Sequence, residues 1–194
     1  MSPESSKHLA EKLTREIYLH SGIHSNSRVL ETDTGEGQLI GKLHDYNPCF
    51  CYALDADAGK IETARRNHAA VRFLEGTLEK INFPDHFFHL IFSVNRLALL
   101  EKPRRYFQQA YEALQHKGIC IALADVDTLF VSSKDLLLKQ INSEEGFTMP
   151  VLESLERSMR RAGFQHLHRR FLCIEFHQPE QERFIYYSLS GVKT

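Results

Sequence analysis

Two glycines and a downstream acid are the residues of this chain whose types and spacing most clearly suggest chemistry. Gly35 and Gly37 follow the apolar pair Val29-Leu30, and they permit a tight turn that a ligand can approach closely. Asp55 comes twenty residues after Gly35, at the end of the apolar run CFCYALD. A carboxylate at that spacing can accept hydrogen bonds from both hydroxyls of a ribose. The pattern therefore predicts a nucleoside site in an α/β domain.

Each of these residues also has a purely structural interpretation. An ordinary strand-to-helix turn would explain Gly35 and Gly37, and a helix N-cap would explain Asp55. Asp57 is the better cap candidate for the helix that follows, which leaves Asp55 for a ligand.

Strands and helices alternate around this turn. Such alternation is typical of an α/β, doubly wound, mostly parallel sheet with helices on both faces. A ligand then binds at the carboxyl ends of the strands, near the chain reversal beside the first strand. The predicted helices are Pro3–His20, one that starts at Gly37–Leu43, Ala58–Asn67 and Arg104–Gln115, and the predicted strands are Arg28–Glu31, Phe50–Leu54, Val71–Leu74, Phe88–Val94 and Ile119–Ala124.

The pattern changes after Asp125. Helices are predicted over Leu129–Asn142 and Val151–Arg161, and two strands, His166–Phe176 and Phe184–Leu189, read as an antiparallel pair. No repeat or linker interrupts the chain, so residues 1–194 are predicted to form one domain.

Composition excludes several classes of protein. The chain has 24 basic and 25 acidic side chains and a net charge of −1, so no general attraction to nucleic acid or to an anionic membrane is expected. No apolar run is long enough to span a membrane, and the charged start is unlike a signal peptide. We therefore expect a cytoplasmic protein without a nucleic-acid or membrane partner.

The four cysteines and eleven histidines do not suggest a metal site. Cys49 and Cys51 share one face of a predicted strand, and Cys120 and Cys173 lie in two other strands. A metal site would require these residues, or nearby histidines, to converge. Small buried apolar side chains are the better interpretation of all four cysteines, and no metal is expected.

Several blocks of the chain, in their order, resemble the class I S-adenosylmethionine-dependent methyltransferases, especially the small ubiquinone/menaquinone-type group. The resemblance runs from about Arg28 to Asp125 and continues more weakly to the C-terminus. The matching blocks are VLETDTGEG, YALDADAGKIETARR, VRFLEGTLEKINFPDHFFHLIFSVNRLALL, RYFQQAYEALQHKGICIALAD and LESLERSMRRAGF.

The resemblance implies a seven-stranded sheet whose last strand is antiparallel, with S-adenosyl-L-methionine bound over the first two strand ends. It implies that the ribose binds to Asp55 and that Asn95 lies near the reacting methyl group. The other implied cofactor-binding residues are Glu31, Gly35 and Gly37 on the methionine side and Ala56, Thr77 and Leu78 beside the adenine.

Three residues depart from the family pattern. Asp33 stands where the family usually has glycine, Thr77 where it commonly has an acid for the adenine amino group, and His89 where it often has aspartate. Asp33 would lie close to the cofactor, either near its carboxylate or paired with its ammonium or sulfonium group. Thr77 can still accept one hydrogen bond, without charge assistance.

Three functions are compatible with these patterns. The first is a methyltransferase that acts on a small molecule. The sequence contains no motif that identifies a catalytic base for such an enzyme. The second is a catalytically degenerate relative that binds the cofactor or a protein partner, which the three departures favour. The third is a nicotinamide dehydrogenase. The third glycine of the dinucleotide-binding motif G-x-G-x-x-G should then stand at Ile40, but Gly41 is one residue later.

The acceptor cavity of a methyltransferase would lie beside Asn95. Leu97, Leu129 and Phe130 are candidates for its apolar walls, and residues 1–22 form a possible lid, with Tyr18 near the cavity mouth.

Overall fold

The computed structural model describes residues 3–95, 103–125, 150–176 and 182–194. Helices and strands alternate through most of these residues, as the sequence predicts. The helices are α1 (Pro3–Ser21), α2 (Gln38–Tyr46), α3 (Ala58–Asn67), α4 (Pro103–Ala113) and α5 (Pro150–Arg161), and the strands are β1 (Arg28–Thr32), β2 (Phe50–Asp55), β3 (Arg72–Glu75), β4 (Phe88–Val94), β5 (Leu114–Asp125), β6 (Gln165–Phe176) and β7 (Glu182–Val192).

The strands form one seven-stranded sheet in the order β3-β2-β1-β4-β5-β7-β6. The four pairings among β1 to β5 are parallel, while β7 lies antiparallel between β5 and β6. This confirms the predicted doubly wound sheet with an antiparallel last strand. The inserted β7 distinguishes the fold from the dinucleotide-binding strand order 3-2-1-4-5-6, which a nicotinamide dehydrogenase would need.

The two faces of the sheet are covered by different helices. On one face, α1, α2 and α3 bury a core that includes Leu13, Ile17 and Ile40. On the other face, α4 and α5 bury a core that includes Phe107 and Met159. Burial on both faces explains why the central strands are almost continuously apolar.

The junction of α4 and β5 differs from the prediction. The helix ends at Ala113 instead of Gln115, and the strand begins at Leu114 instead of Ile119. Leu114 already pairs with Phe88, and an irregular register separates this pair from the rest of the ladder. The sequence places this boundary later, because the pairing of Leu114 with a residue of another strand leaves no signal in the neighbouring residues. The predicted helix Leu129–Asn142 lies outside the described residues.

Tyr18 does not lie at the mouth of the predicted site. Its ring contacts Tyr46, with ring centroids 4.8 Å apart. Tyr46 ends α2, whose other end follows the glycine turn, so Tyr18 lies at the opposite end of α2 from that turn. It packs helix on helix because α1 runs back along the sheet before β1 begins. The lid role of residues 1–22 stays a prediction.

The cysteines fall into two groups. Cys49, Cys51 and Cys120 are buried, as expected for small apolar side chains, whereas Cys173 is exposed on β6. The prediction of burial was therefore wrong for Cys173. The reason is that β6 lies at the edge of the sheet. An edge position cannot be recognised from the alternation of residues within the strand.

Candidate functional site

The glycine turn follows β1 and leads directly into α2. Gly35 and Gly37 have φ angles of 61° and 78°, in the left-handed region that favours glycine. A Cβ atom on Gly37 would lie 2.7 Å from the Phe73 ring, while a Cβ atom on Gly35 would meet nothing within 4 Å. Gly37 is therefore required by packing below the turn, and Gly35 borders open space above it.

Asp55 ties the end of β2 to this turn. Its Oδ2 atom accepts a hydrogen bond from the Gly35 N–H at 2.8 Å, and its Oδ1 atom accepts one from the Asp57 N–H at 2.9 Å. Asp57 caps α3 by accepting from the N–H groups of Gly59 and Lys60, as the sequence predicts. Each oxygen of Asp55 retains a further lone pair, so the carboxylate can accept additional donors from a ligand.

Glu31 supports the turn from beneath. Its side chain is only 2% exposed, and its Oε2 atom accepts from the Thr34 hydroxyl and from the Ile40 N–H. Burial raises the pKa of Glu31 to about 8. The nearby carboxylates of Asp33 and Asp55 also act to raise this pKa, whereas the two hydrogen bonds act to lower it. The carboxyl group is therefore mainly protonated at neutral pH, and it positions the turn without facing solvent.

We expect Glu31→Gln to gain stability relative to the native chain as the pH rises. The folded pKa of Glu31 lies above its ordinary value of 4.5, so the native chain binds more protons than the unfolded chain between these values. As the pH rises between these two pKa values, the free energy of unfolding of the native chain falls by up to about 1.4 kcal/mol per pH unit. Glutamine has nearly the same shape as a protonated glutamate and does not titrate, so the pH dependence of stability that comes from residue 31 is removed.

Urea unfolding of both proteins across this pH range would measure the difference. Glu36→Gln is the matched control, because Glu36 belongs to the same turn but is exposed. An equal pH dependence in the native chain and in Glu31→Gln would contradict the raised pKa.

The residues predicted beside the adenine follow β2 and β3. Ala56 is exposed directly after Asp55, and the Gly76 N–H donates to the Asp55 carbonyl oxygen at 2.8 Å, which brings Thr77 to the same edge. The side chain of Leu78 is only 3% exposed and packs in the core. A ligand at this edge can therefore meet Ala56 and Thr77 directly, while Leu78 supports the loop from below.

Asn95 joins the ends of β4 and β5. Its N–H donates to the Leu123 carbonyl oxygen, and its Oδ1 atom accepts from the Asp125 N–H, both at 2.8 Å. Its φ of 64° turns the chain away from β4. The residue thus lies at the carboxyl edge of the sheet, and its proximity to a reacting group stays a prediction. Leu97, Leu129 and Phe130 lie outside the described residues.

Three hydroxyl-bearing residues at this edge were not identified from the sequence. The Thr32 hydroxyl lies 2.9 Å from the hydroxyl of Tyr106, a buried residue of α4. Burial raises the pKa of Tyr106, so its hydroxyl stays protonated. Thr34, whose N–H donates to the Leu54 carbonyl oxygen at 2.9 Å, fastens the turn to β2. Thr34 stands inside the glycine motif and could have been noticed, whereas the partner of Tyr106 is 74 residues away.

Carboxylates surround the turn. Asp33 and Glu36 belong to it, Asp55 ends β2, Asp57 comes two residues later, and Asp125 ends β5. Neither residues 33–37 nor residues 55–59 include a lysine or arginine. The edge therefore attracts cations. The first residue of α2 follows Gly37, which provides no side-chain cap. The Ile40 N–H donates to Glu31, so the N–H groups before Ile40 are the ones that the helix N-terminus offers to a local anion.

The three departures from the family pattern have different locations. His89 lies at the other end of β4, where its Nδ1 atom accepts from the Arg28 N–H at 3.1 Å. Burial and the Arg28 charge lower its pKa, which keeps it a neutral acceptor. Asp33, by contrast, lies in the turn with a φ of 56°, and Thr77 lies beside Asp55. His89 therefore has a structural explanation unrelated to ligand binding.

Within the described ranges, no group of three or more histidine, cysteine, aspartate or glutamate side chains could hold a metal ion. Among the same residues, no helix is both long and apolar enough to cross a membrane.

Residues 29–118 match the family model of a methyltransferase domain. No curated protein is significantly similar to the chain in sequence. The family match includes the turn, β2 and the end of β4, and therefore the whole predicted cofactor edge as far as Asn95.

Solved structures share the fold over nearly the full length of the chain. A methyltransferase from Thermotoga maritima, described as a possible histamine N-methyltransferase, has a TM-score of 0.64 at 19% identity, over 99% of this chain and 96% of that one. The YcgJ protein of Bacillus subtilis has a TM-score of 0.68 at 15% identity, over 96% of this chain and 98% of its own.

A third structure was solved with ligands. The phosphoethanolamine N-methyltransferase 2 of Haemonchus contortus, in complex with phosphomonomethylethanolamine and S-adenosylhomocysteine, has a TM-score of 0.70 at 15% identity, over 94% of this chain and 52% of that one. At such identities the likeness concerns the fold. Together with the match of residues 29–118 to the methyltransferase-domain model, it confirms the resemblance to the class I methyltransferases in the fold and in this part of the chain. Membership of the ubiquinone/menaquinone-type group stays a prediction.

Proposed function

We propose that this protein is an S-adenosylmethionine-dependent methyltransferase that acts on a small molecule. The observation that carries the proposal is the hydrogen bond between the Gly35 N–H and Asp55, which brings the two sequence-predicted ends of the site together. A family match alone would not show that the turn and the acid meet.

The residues present fit the cofactor. The open space above Gly35 admits a ligand close to the backbone, and the uncapped start of α2 suits the carboxylate of the methionine part. Asp55 would accept the ribose hydroxyls, and Ala56 and Thr77 would border the adenine. Glu31 and Leu78 would act indirectly, because their side chains are buried beneath these contacts.

The charge of the edge is matched to the same ligand. S-adenosylmethionine supplies an electrophilic methyl group on a cationic sulfonium, and its demethylated product has lost that charge. The carboxylates of Asp33 and Asp55 therefore favour the cofactor over the product electrostatically. Transfer by in-line displacement can proceed through proximity and orientation when the acceptor is already a good nucleophile.

A small acceptor is favoured by composition. The net charge of −1 provides no general attraction to nucleic acid. The sequence SVNRLALL after β4 also lacks an Asn-Pro-Pro-Tyr-type motif, which would suggest methylation of an amide or base nitrogen. Two of the structural neighbours are described with small amine compounds, which makes small amines suitable first candidates for assay.

Mass spectrometry of ligand released from the purified protein, with calorimetry against S-adenosylhomocysteine, tests cofactor binding. Turnover on a panel of small amines, phenols and thiols then tests catalysis. Binding with turnover supports the proposal, whereas absence of binding overturns it. Binding without methyl transfer to any acceptor, including those in cell extract, would favour the degenerate binding protein.

Replacing Asp33 separates strain from charge in the turn. We expect Asp33→Gly to bind S-adenosylhomocysteine at least as tightly as the native chain, because glycine adopts the observed φ of 56° freely and removes an anion near the ligand carboxylate. Asp33→Asn is the matched control, since asparagine tolerates this conformation but is neutral. Calorimetry measures both variants. A clear loss of affinity in both would show that Asp33 pairs with the ligand ammonium.

A further inference from the structure

Two cysteines lie side by side at the start of β2, away from the cofactor edge. The Sγ atoms of Cys49 and Cys51 are 3.5 Å apart and hydrogen-bonded, and both thiols are free. The side chains are 9% and 2% exposed. Asp55 ends the same strand, so this pair belongs to the opposite end of the sheet and is independent of the proposed function.

We propose that Cys49 and Cys51 form a reversible intramolecular disulfide when hydrogen peroxide oxidises Cys49. Alternate residues of an extended chain point to the same face, and this brings the two sulfur atoms together. Their separation must shorten from 3.5 Å to about 2 Å, which requires side-chain rotation and a small backbone shift.

The backbone at Cys49 can make this shift. β2 begins at Phe50, whose N–H donates to the Ser27 carbonyl oxygen, so Cys49 precedes the hydrogen-bonded ladder. Cα atoms two residues apart in a strand are separated by about 6.6 Å, near the upper limit for a disulfide. The bond is therefore strained, and a strained disulfide is readily reduced again.

The two sulfurs have unequal roles. The hydrogen bond between the two sulfur atoms lowers the pKa of Cys49 and raises that of Cys51. Cys49 is also the more exposed of the two. Thiolate character and access both make Cys49 the atom that reacts with peroxide, and Cys51 the thiol that resolves the product.

The reaction is balanced with one peroxide. The Cys49 thiolate attacks one peroxide oxygen, the O–O bond breaks, and the departing hydroxide takes up a proton to form water. Cys51 sulfur then attacks the sulfur of the Cys49 sulfenic acid, the S–O bond breaks, and the hydroxide leaves as water with the Cys51 proton. The two thiols lose two electrons in total, and the peroxide is reduced to two molecules of water.

Tryptic mapping of the full-length protein tests the proposal. Cleavage after Lys42 and Lys60 places Cys49 and Cys51 together on residues 43–60, apart from the other cysteines. After peroxide treatment, denaturation and alkylation, we expect this peptide to be lighter by two hydrogen atoms than its reduced form and to take up no alkyl group. Dithiothreitol should restore both alkylation sites. During the peroxide treatment, the reduced form of the peptide 43–60 should disappear at least about tenfold faster than the reduced form of the peptide that contains the buried Cys120.

Two variants assign the roles. In Cys51→Ser, Cys49 should gain oxygen atoms instead of losing hydrogen, because no resolving thiol remains. In Cys49→Ser, Cys51 should stay reduced. The proposal is overturned if both cysteines remain alkylated under peroxide that oxidises the exposed Cys173, or if Cys49 is linked mainly to another cysteine. Because the native chain alone gives these results, a variant that fails to fold leaves the test intact.

Discussion

Asp55→Ala is expected to bind S-adenosylhomocysteine about 30- to 1000-fold more weakly than the native chain. The carboxylate can accept two charge-assisted hydrogen bonds from a ribose, and their loss costs on the order of 2–4 kcal/mol. The substitution also removes the acceptor for the Gly35 N–H, which loosens the turn itself. Calorimetry on both proteins measures the difference.

Asp57→Ala is the matched control for this prediction. Asp57 is an aspartate of the same loop, but it caps α3 by accepting from Gly59 and Lys60. Its loss should cost about 1 kcal/mol of stability and leave affinity nearly unchanged. Wild-type affinity in Asp55→Ala would remove Asp55 from the ligand site, and equal losses in both variants would indicate a general disturbance of the loop.

The second large effect concerns Gly37. Gly37→Ala should lower the free energy of unfolding by about 2–4 kcal/mol, because an alanine there combines an unfavourable φ of 78° with a Cβ atom 2.7 Å from the Phe73 ring. Chemical denaturation without ligand measures this loss. The double variant Gly37→Ala/Phe73→Leu removes the ring atoms that clash and should recover part of it.

Gly35→Ala provides the opposite case. Its φ of 61° imposes a similar backbone strain, but its Cβ atom would meet no protein atom within 4 Å. We expect a stability loss of only about 1–2 kcal/mol, together with a fall in S-adenosylhomocysteine affinity of at least about tenfold. If Gly37→Ala were no less stable than Gly35→Ala, packing against Phe73 would not explain Gly37. If Gly35→Ala bound normally, the open space would not hold the ligand.

These variants separate the two requirements that the turn satisfies. Gly37 allows the start of α2 to pack against β3 and α3, whereas Gly35 borders the open side where a ligand is expected. Asp55 links them, since it accepts a hydrogen bond from Gly35 and belongs to β2. Gly37→Ala should therefore lower mainly stability, Gly35→Ala should lower affinity with a smaller loss of stability, and Asp55→Ala should lower affinity while loosening the turn.

The sequence by itself determined the order of elements, the glycine turn and the acid at the end of β2. Each of these depends on local information: apolar runs, glycines that permit a left-handed φ, and an Asp57 cap within three residues of its partners. The seven-stranded topology followed from the family resemblance and not from periodicity. Local signals were sufficient here because backbone conformation is set largely by neighbouring residues.

Only the tertiary structure decided which residues meet. It brought Gly35 onto Asp55, turned the Glu31 carboxyl group beneath the turn, and placed Tyr18 at the opposite end of α2. It also ended α4 early, because Leu114 pairs with Phe88. Such contacts depend on packing between distant segments, and the burial that raises the pKa of Glu31 to about 8 is a property of the assembled core. No pattern within β1 could have revealed it.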